Sequence, residues 1–192
     1  LHTWKKFGYP DVTMTGNGVI AGLVAITAPC AWVEGWAAVV IGLVAGLIMV
    51  ESVLLLEKKG IDDPIGAVSC HLIAGIWGLV SIGIFADGTY GLYTTEGPKV
   101  IGLLYGGGAD QLIAQMIGVV ANVAWVFGTS YALFWILKKT IGLRVSKEEE
   151  LEGLDKAEHG AISYPDFISV VGEEPKLMEK GTHQNNGDDL DK

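Results

Sequence analysis

Apolar residues run through most of the chain in long blocks, and polar residues collect between the blocks and at the end. Four stretches carry no Lys, Arg, Asp or Glu, or only one: 12–33, 36–56 (which contains Glu51), 64–86 and 111–137. Each is long enough to cross a hydrocarbon layer as a helix, which takes about 20 apolar residues. No soluble α-helical domain needs four such runs. The pattern therefore predicts an all-α, polytopic membrane bundle with a polar tail. Its parts are a lead-in at 1–11, four transmembrane helices within 12–137, a tail at 138–171 and an end at 172–192. That last part is polar and poor in hydrophobic residues, and is expected to be disordered.

Composition sharpens this division. Half of the 192 residues are hydrophobic, yet the formal net charge is -9. The two facts conflict for a soluble globule but not for a membrane segment with an acidic tail. More than half of the 22 acidic and of the 13 basic residues lie beyond position 137. Basic residues also alternate between loops. Lys5 and Lys6 precede the first span, Lys58 and Lys59 follow the second, and Lys138, Lys139, Arg144 and Lys147 follow the fourth. The loop at 34–35 has none, and the long loop at 87–110 has only Lys99. By the positive-inside rule both the N-terminal lead-in and the C-terminal tail face the cytoplasm.

The 27 glycines include Gly18/Gly22 and Gly42/Gly46, whose four-residue spacing lets membrane helices approach closely. The alternative for such pairs is helix flexibility or a turn. The Gly106-Gly107-Gly108 run lacks the Lys-Ser/Thr of a phosphate loop, so the 87–110 segment reads as a flexible extracytoplasmic connector. The chain opens on Leu1 and a charged, aromatic stretch without a cleavable signal pattern, and it reads as part of a longer protein. Cys30 lies at one end of its span and Cys70 deep in another, so a disulfide between them is not expected.

The ionisable residue that stands out is His71, near the middle of the 64–86 block. Such a group inside a bilayer is costly and marks a pathway for a proton or a polar substrate. Ala67 lies one turn before it and Gly75 one turn after, so a stripe of small residues carries the imidazole. That stripe fits a narrow lumen, or a tight helix seam with a satisfied core histidine. Asp62 and Asp63 precede Pro64, where acids complement the start of a helix. Asp63 is also a candidate for organising a pore vestibule. Glu51 either snorkels or pairs with a helix outside this chain, and His2 and His183 read as solvated. In the tail, Ser146 and Glu149 have capping-box spacing, Gly153 stops or bends the helix, and Leu151 and Leu154 give it an apolar side. No Cys/His cluster has zinc spacing and no Ser-His-Asp set can be built on one buried histidine. An enzyme, a metal, a cofactor and a nucleic-acid partner are all unexpected.

Three stretches together resemble the Amt/MEP/Rh family of ammonium transporters. The first is Gly22-Leu23-Val24-Ala25-Ile26-Thr27 with Cys30 after it. The second is Ile61-Asp62-Asp63-Pro64-Ile65-Gly66, running to His71 and to Gly75-Ile76-Trp77-Gly78. The third is Gly142-Leu143-Arg144-Val145-Ser146, continuing through Glu149, Gly153, Leu154 and Asp155 to Glu158-His159-Gly160. The resemblance covers roughly residues 10–167 and implies the last four helices, eight to eleven, of an eleven-helix ammonium transporter plus its cytoplasmic tail. It further implies a homotrimer in the cell membrane in which each subunit has its own hydrophobic pore for ammonium or ammonia. His71 matches the second of two hydrogen-bonded pore histidines, Ala67 a pore-lining position, and Asp63 the Asp of this half. The tail motif, with Arg144, Glu149, Gly153, Leu154, Asp155 and His159, implies coupling between subunits near the docking place of a PII-type signalling protein. His159 belongs to that motif and is not expected to contact substrate. One departure is Leu72, where the family usually has Gly after the pore histidine, and it bears on local helix packing. An ammonium-sensing membrane domain without net transport is the alternative. A sensor continues into a signalling module, whereas this chain runs into polar sequence.

Overall fold

The computed structural model describes residues 1–89 and 99–161, all of them helical or connecting segments apart from one isolated bridge. The end at 172–192, His183 and the Gly-rich stretch 90–98 lie outside the described residues. The chain divides into two compact units, Leu1–Tyr131 and Ala132–Lys192.

In the first unit a short helix α1 (His2–Phe7) precedes α2 (Val12–Thr27). Asp11 caps α2, its carboxylate accepting from the Met14 amide at 2.7 Å, which satisfies one of the orphan donors of the first turn. The helix stops at Thr27, short of the end of the 12–33 block. A fully buried Pro29 follows, and proline cannot continue a helix, so residues 28–33 form turns. Helix α3 (Gly35–Lys58) is 24 residues, about 36 Å at 1.5 Å per residue. The third block becomes a π-helical turn (Val68–Ile73) leading into α4 (Ala74–Phe85). A 3-10 turn (Leu103–Tyr105) precedes α5 (Asp110–Thr140), a helix of 31 residues. By length and composition α3, Val68–Phe85 and α5 are able to cross a membrane, and α2, with 16 residues, is a shorter apolar helix.

Helices α2, α3 and α4 pack through small residues at four-residue spacing. Ala21 and Ala25 on α2 face Ala37, Ile41, Ala45 and Met49 on α3, all fully buried. The flagged glycine pairs lie in this seam. A Cβ at Gly22 would sit 3.7 Å from the Gly42 carbonyl oxygen, and one at Gly46 would sit 3.9 Å from that of Gly18. Without a hydrophobic drive between helices in lipid, such close backbone approach is what holds them. The outward faces stay apolar: Leu23, Leu43, Trp125 and Phe127 are more than 60 % exposed. A surface of this kind suits acyl chains and not water.

Two expectations change here. Within the described residues Glu51 has partners from its own chain. Its carboxylate accepts from His2 Nε2 at 2.6 Å and Lys6 Nζ at 2.7 Å, so α1 is tied to α3. His2 is therefore not simply solvated. Nor is the described part of the 87–110 connector loose. The Gly102 amide donates to the Ala86 carbonyl at 2.8 Å, and Asp87 bridges to Ile101. Gly107 packs on the Ile101 carbonyl, an approach that leaves no room for a Cβ.

Candidate functional site

The segment carrying His71 is built from a turn that re-enters the bundle. Residues 63–66 form a turn closed by the Gly66 amide donating to the Asp63 carbonyl at 3.0 Å, with Pro64 inside it. Pro64 thus sits before the helix and not in its first turn. Gly66 has φ +72°, a left-handed conformation that glycine adopts freely. It lies against Asn17 of α2 and Val53 of α3, several residues inside both helix ends. Non-helical backbone at that depth needs internal partners, because the surroundings offer no water. Asn17 supplies one: its Nδ2 donates to the Ile65 carbonyl at 3.0 Å.

Asp63 supplies the next. Its Oδ1 accepts from the Ala67 amide at 2.8 Å and its Oδ2 from the Val68 amide at 3.0 Å. Both oxygens are spent on the helix start, where free amides and the macrodipole favour a carboxylate. Asp62, by contrast, is exposed.

From Val68 to Ile73 the backbone is π-helical, the Ala74 amide reaching back to the Ser69 carbonyl. Ser69 and Cys70 point inward, and Cys70 joins the cluster of Ala21, Met49, Val50, Val53 and Ala74. His71, Ala67 and Leu72 are exposed, and Gly75 is half-buried. Within the described residues the imidazole makes no hydrogen bond and has no seam to fill, so it is not a core histidine of this unit. Two residues beyond Gly75, the Trp77 Nε1 donates to the Ile41 carbonyl of α3 at 3.0 Å. Asn17 and that Trp77 bond are structural elements of the site that spacing did not reveal. The signal for Asn17 was only its presence as an amide inside a span.

The tail belongs to the second unit. Helix α6 (Lys147–Glu152) opens with a complete capping box. Ser146 Oγ accepts from the Glu149 amide at 3.2 Å, and Glu149 Oε2 accepts from the Ser146 amide at 2.9 Å. Those bonds from Ser146 hold the Glu149 carboxyl below its usual range. Gly153, with φ +98°, ends α6, and α7 (Leu154–His159) follows with Asp155 in its first turn. Arg144 pairs with Glu150 at 3.1 Å, both side chains being exposed. Leu151 and Leu154 are exposed as well.

Elsewhere, an apolar groove of about 540 Å³ is lined by Leu112, Ile113, Met116, Ile117, Val120 and Ala121, all on α5 and none from the His71 segment. Among the described residues no three of His, Cys, Asp and Glu gather to hold a metal ion.

Comparison with known proteins agrees with this architecture. The model of the Ammonium Transporter Family matches residues 1–164. Ammonium transporter Amt2 of Archaeoglobus fulgidus is 57 % identical over 179 residues, covering 93 % of this chain and 38 % of that protein. Ammonium transporter 1 member 1 of Arabidopsis thaliana is 40 % identical over 162 residues, covering 83 % and 32 %. Ammonium transporter 1 member 1 of Solanum lycopersicum is 38 % identical over 172 residues, covering 88 % and 34 %. The chain thus spans about a third of the length of these relatives. With three membrane-length helices among its described residues and a family match from its first residue through the capped tail, this chain belongs to the ammonium transporter family.

Proposed function

We propose that this chain supplies one wall of an ammonium pore and that His71 is its proton-relay residue. The observation that carries the reading is an exposed imidazole on a strip of small residues within an otherwise uncharged span. Moving bare ammonium through the centre of a bilayer costs roughly 3 kcal/mol or more. Giving up the proton at the pore entrance removes most of that barrier, because neutral ammonia crosses an apolar lumen readily. The proton then needs its own carrier, and imidazole is the side chain that titrates nearest neutrality.

In this reading Ala67 lines the lumen beside His71, and Asp63 fixes the helix that presents both. A second histidine, hydrogen-bonded to His71, comes from residues outside this chain. The protein assembles as a homotrimer in the cell membrane with its tail in the cytoplasm and serves nitrogen utilisation. The ion pairs of Glu51 with His2 and Lys6 support the orientation, since they hold the basic lead-in beside the half of α3 that ends in Lys58 and Lys59. Proteoliposomes of the intact protein are expected to give a transient inward current on an ammonium pulse. A current no greater than that of empty liposomes removes the transport reading and favours a sensor.

The tail is the regulatory element. Its capping box and the Arg144–Glu150 pair set the start of α6. They leave Leu151, Leu154 and Asp155 available to dock under a neighbouring subunit, with His159 outside the substrate path and a PII-type protein as the cytoplasmic partner. Deleting 146–160 is expected to lower transport several-fold while the trimer persists. Unchanged transport in an intact trimer identifies the tail as a solvated helix without a coupling role.

A further inference from the structure

We infer that the π turn Val68–Ile73 is a one-residue insertion that aims the His71 imidazole, and that Asn17 is its positioning residue. The inference rests on the pore reading above and adds the device that orients its histidine.

The segment is pinned on both sides of His71. Upstream, Asp63 holds the Ala67 and Val68 amides, and Asn17 holds the Ile65 carbonyl. The Cys70 thiol returns to the same residue, lying 3.6 Å from the Asn17 carbonyl. Downstream, Trp77 is bonded to Ile41, and Gly78 lies against the Ala25 backbone. Between these fixed points the i→i+5 pattern accommodates one more residue than an α-helix would. At 3.6 residues per turn, one residue is worth roughly 100° of rotation. The extra residue therefore decides which way the imidazole points.

Ser69 shows what Asn17 prevents. A buried serine in a helix ordinarily donates to a carbonyl three or four residues back. Ser52 does so to Met49 at 2.8 Å, and Ser81 to Gly78 at 2.7 Å. Ser69 is completely buried, and its hydroxyl has no partner among the described residues. The carbonyl four residues before it is Ile65, which accepts from Asn17. A carbonyl oxygen can take two donors, so occupancy alone does not keep Ser69 away. The wide turn does, and the Asn17 bond holds Ile65 in the position that goes with it. Released from Asn17, Ile65 is free to move towards Ser69, and the turn tightens towards α.

Two deletions in the intact protein test this. Deleting Leu72 removes the spare residue, whereas deleting Val80 breaks the register of regular α4. The Leu72 deletion is expected to accumulate in the membrane like wild type, to shift the ring-nitrogen NMR signals of His71, and to lose transport about ten-fold or more. The Val80 deletion is expected not to accumulate. Failure of both deletions to accumulate overturns the inference, and so does a Leu72 deletion with wild-type current. Asn17→Ala is expected to move the same ring signals and reduce transport, and adding Ser69→Ala to restore part of it. A double variant no better than Asn17→Ala shows that Ser69 does not tighten the turn. The pore reading fails separately: His71→Ala would then carry full current, while the ring signals still report whether the turn aims the imidazole.

Discussion

Replacing His71 by alanine is expected to abolish the proposed ammonium-driven current of the intact protein, while the amount of protein in the membrane stays the same. The expected loss is roughly 100-fold or more, the usual worth of a positioned proton-transfer group. Both parts of the result follow from the geometry. The imidazole is exposed on its own unit, so alanine leaves no cavity in the α2–α3–α4 core. Nothing else along Val68–Phe85 replaces it, since that helical span contains no other group able to titrate near neutrality. Phenylalanine serves as the second variant, because it keeps the bulk and removes the proton sites. If His71→Ala loses current and His71→Phe keeps it, the residue acts by shape and not by proton transfer. Wild-type current from both variants removes the relay altogether.

Gly78→Val destabilises the protein strongly, and Gly75→Ala does not. A Cβ at Gly78 would fall on the Ala25 backbone, with its carbonyl carbon and Cα both 3.1 Å away and its carbonyl oxygen nearer still. Ala25 is completely buried, so α2 cannot yield there without moving the α2–α3 seam as well. Overpacking of this kind costs about 1–3 kcal/mol or more. Moving α4 outward also stretches the Trp77 bond to Ile41, which contributes about 1 kcal/mol by itself. One turn away, a Cβ at Gly75 meets only Val24 Cγ1 at 3.9 Å, an ordinary contact. Thermal unfolding of the detergent-purified protein is expected to show a much lower midpoint for Gly78→Val and a near-normal one for Gly75→Ala. Equal midpoints would mean that α2 and α4 are not held at backbone contact.

These glycines show where sequence reasoning reached and where it stopped. Four-residue spacing drew attention to Gly18, Gly22, Gly42 and Gly46. The structure does place them in one seam, but at ordinary contact distances. The tightest approach between α2 and α4 is at Gly78, outside either pair. Spacing reports which residues share a face of one helix, and it carries no information about what lies opposite.

The same distinction runs through the site. The blocks of apolar residues, the capping box at Ser146, the helix stop at Gly153 and the solitary histidine in a charge-free span were all legible along the chain. Each depends on residues a few positions apart, linked by the hydrogen bonds and periodicity of a single helix. The structure alone decided that Glu51 pairs with His2 and Lys6, that Asn17 bonds the Ile65 carbonyl, and that Ser69 has no partner among the described residues. It also replaced a regular helix at His71 with a π turn and moved Pro64 out of the helix. Those outcomes depend on which groups from separate segments are brought within hydrogen-bond reach, and that is settled by how the helices pack. The sequence by itself identified a helical membrane chain and placed His71 within an apolar segment of membrane-spanning length. Packing at backbone contact decided where the imidazole points.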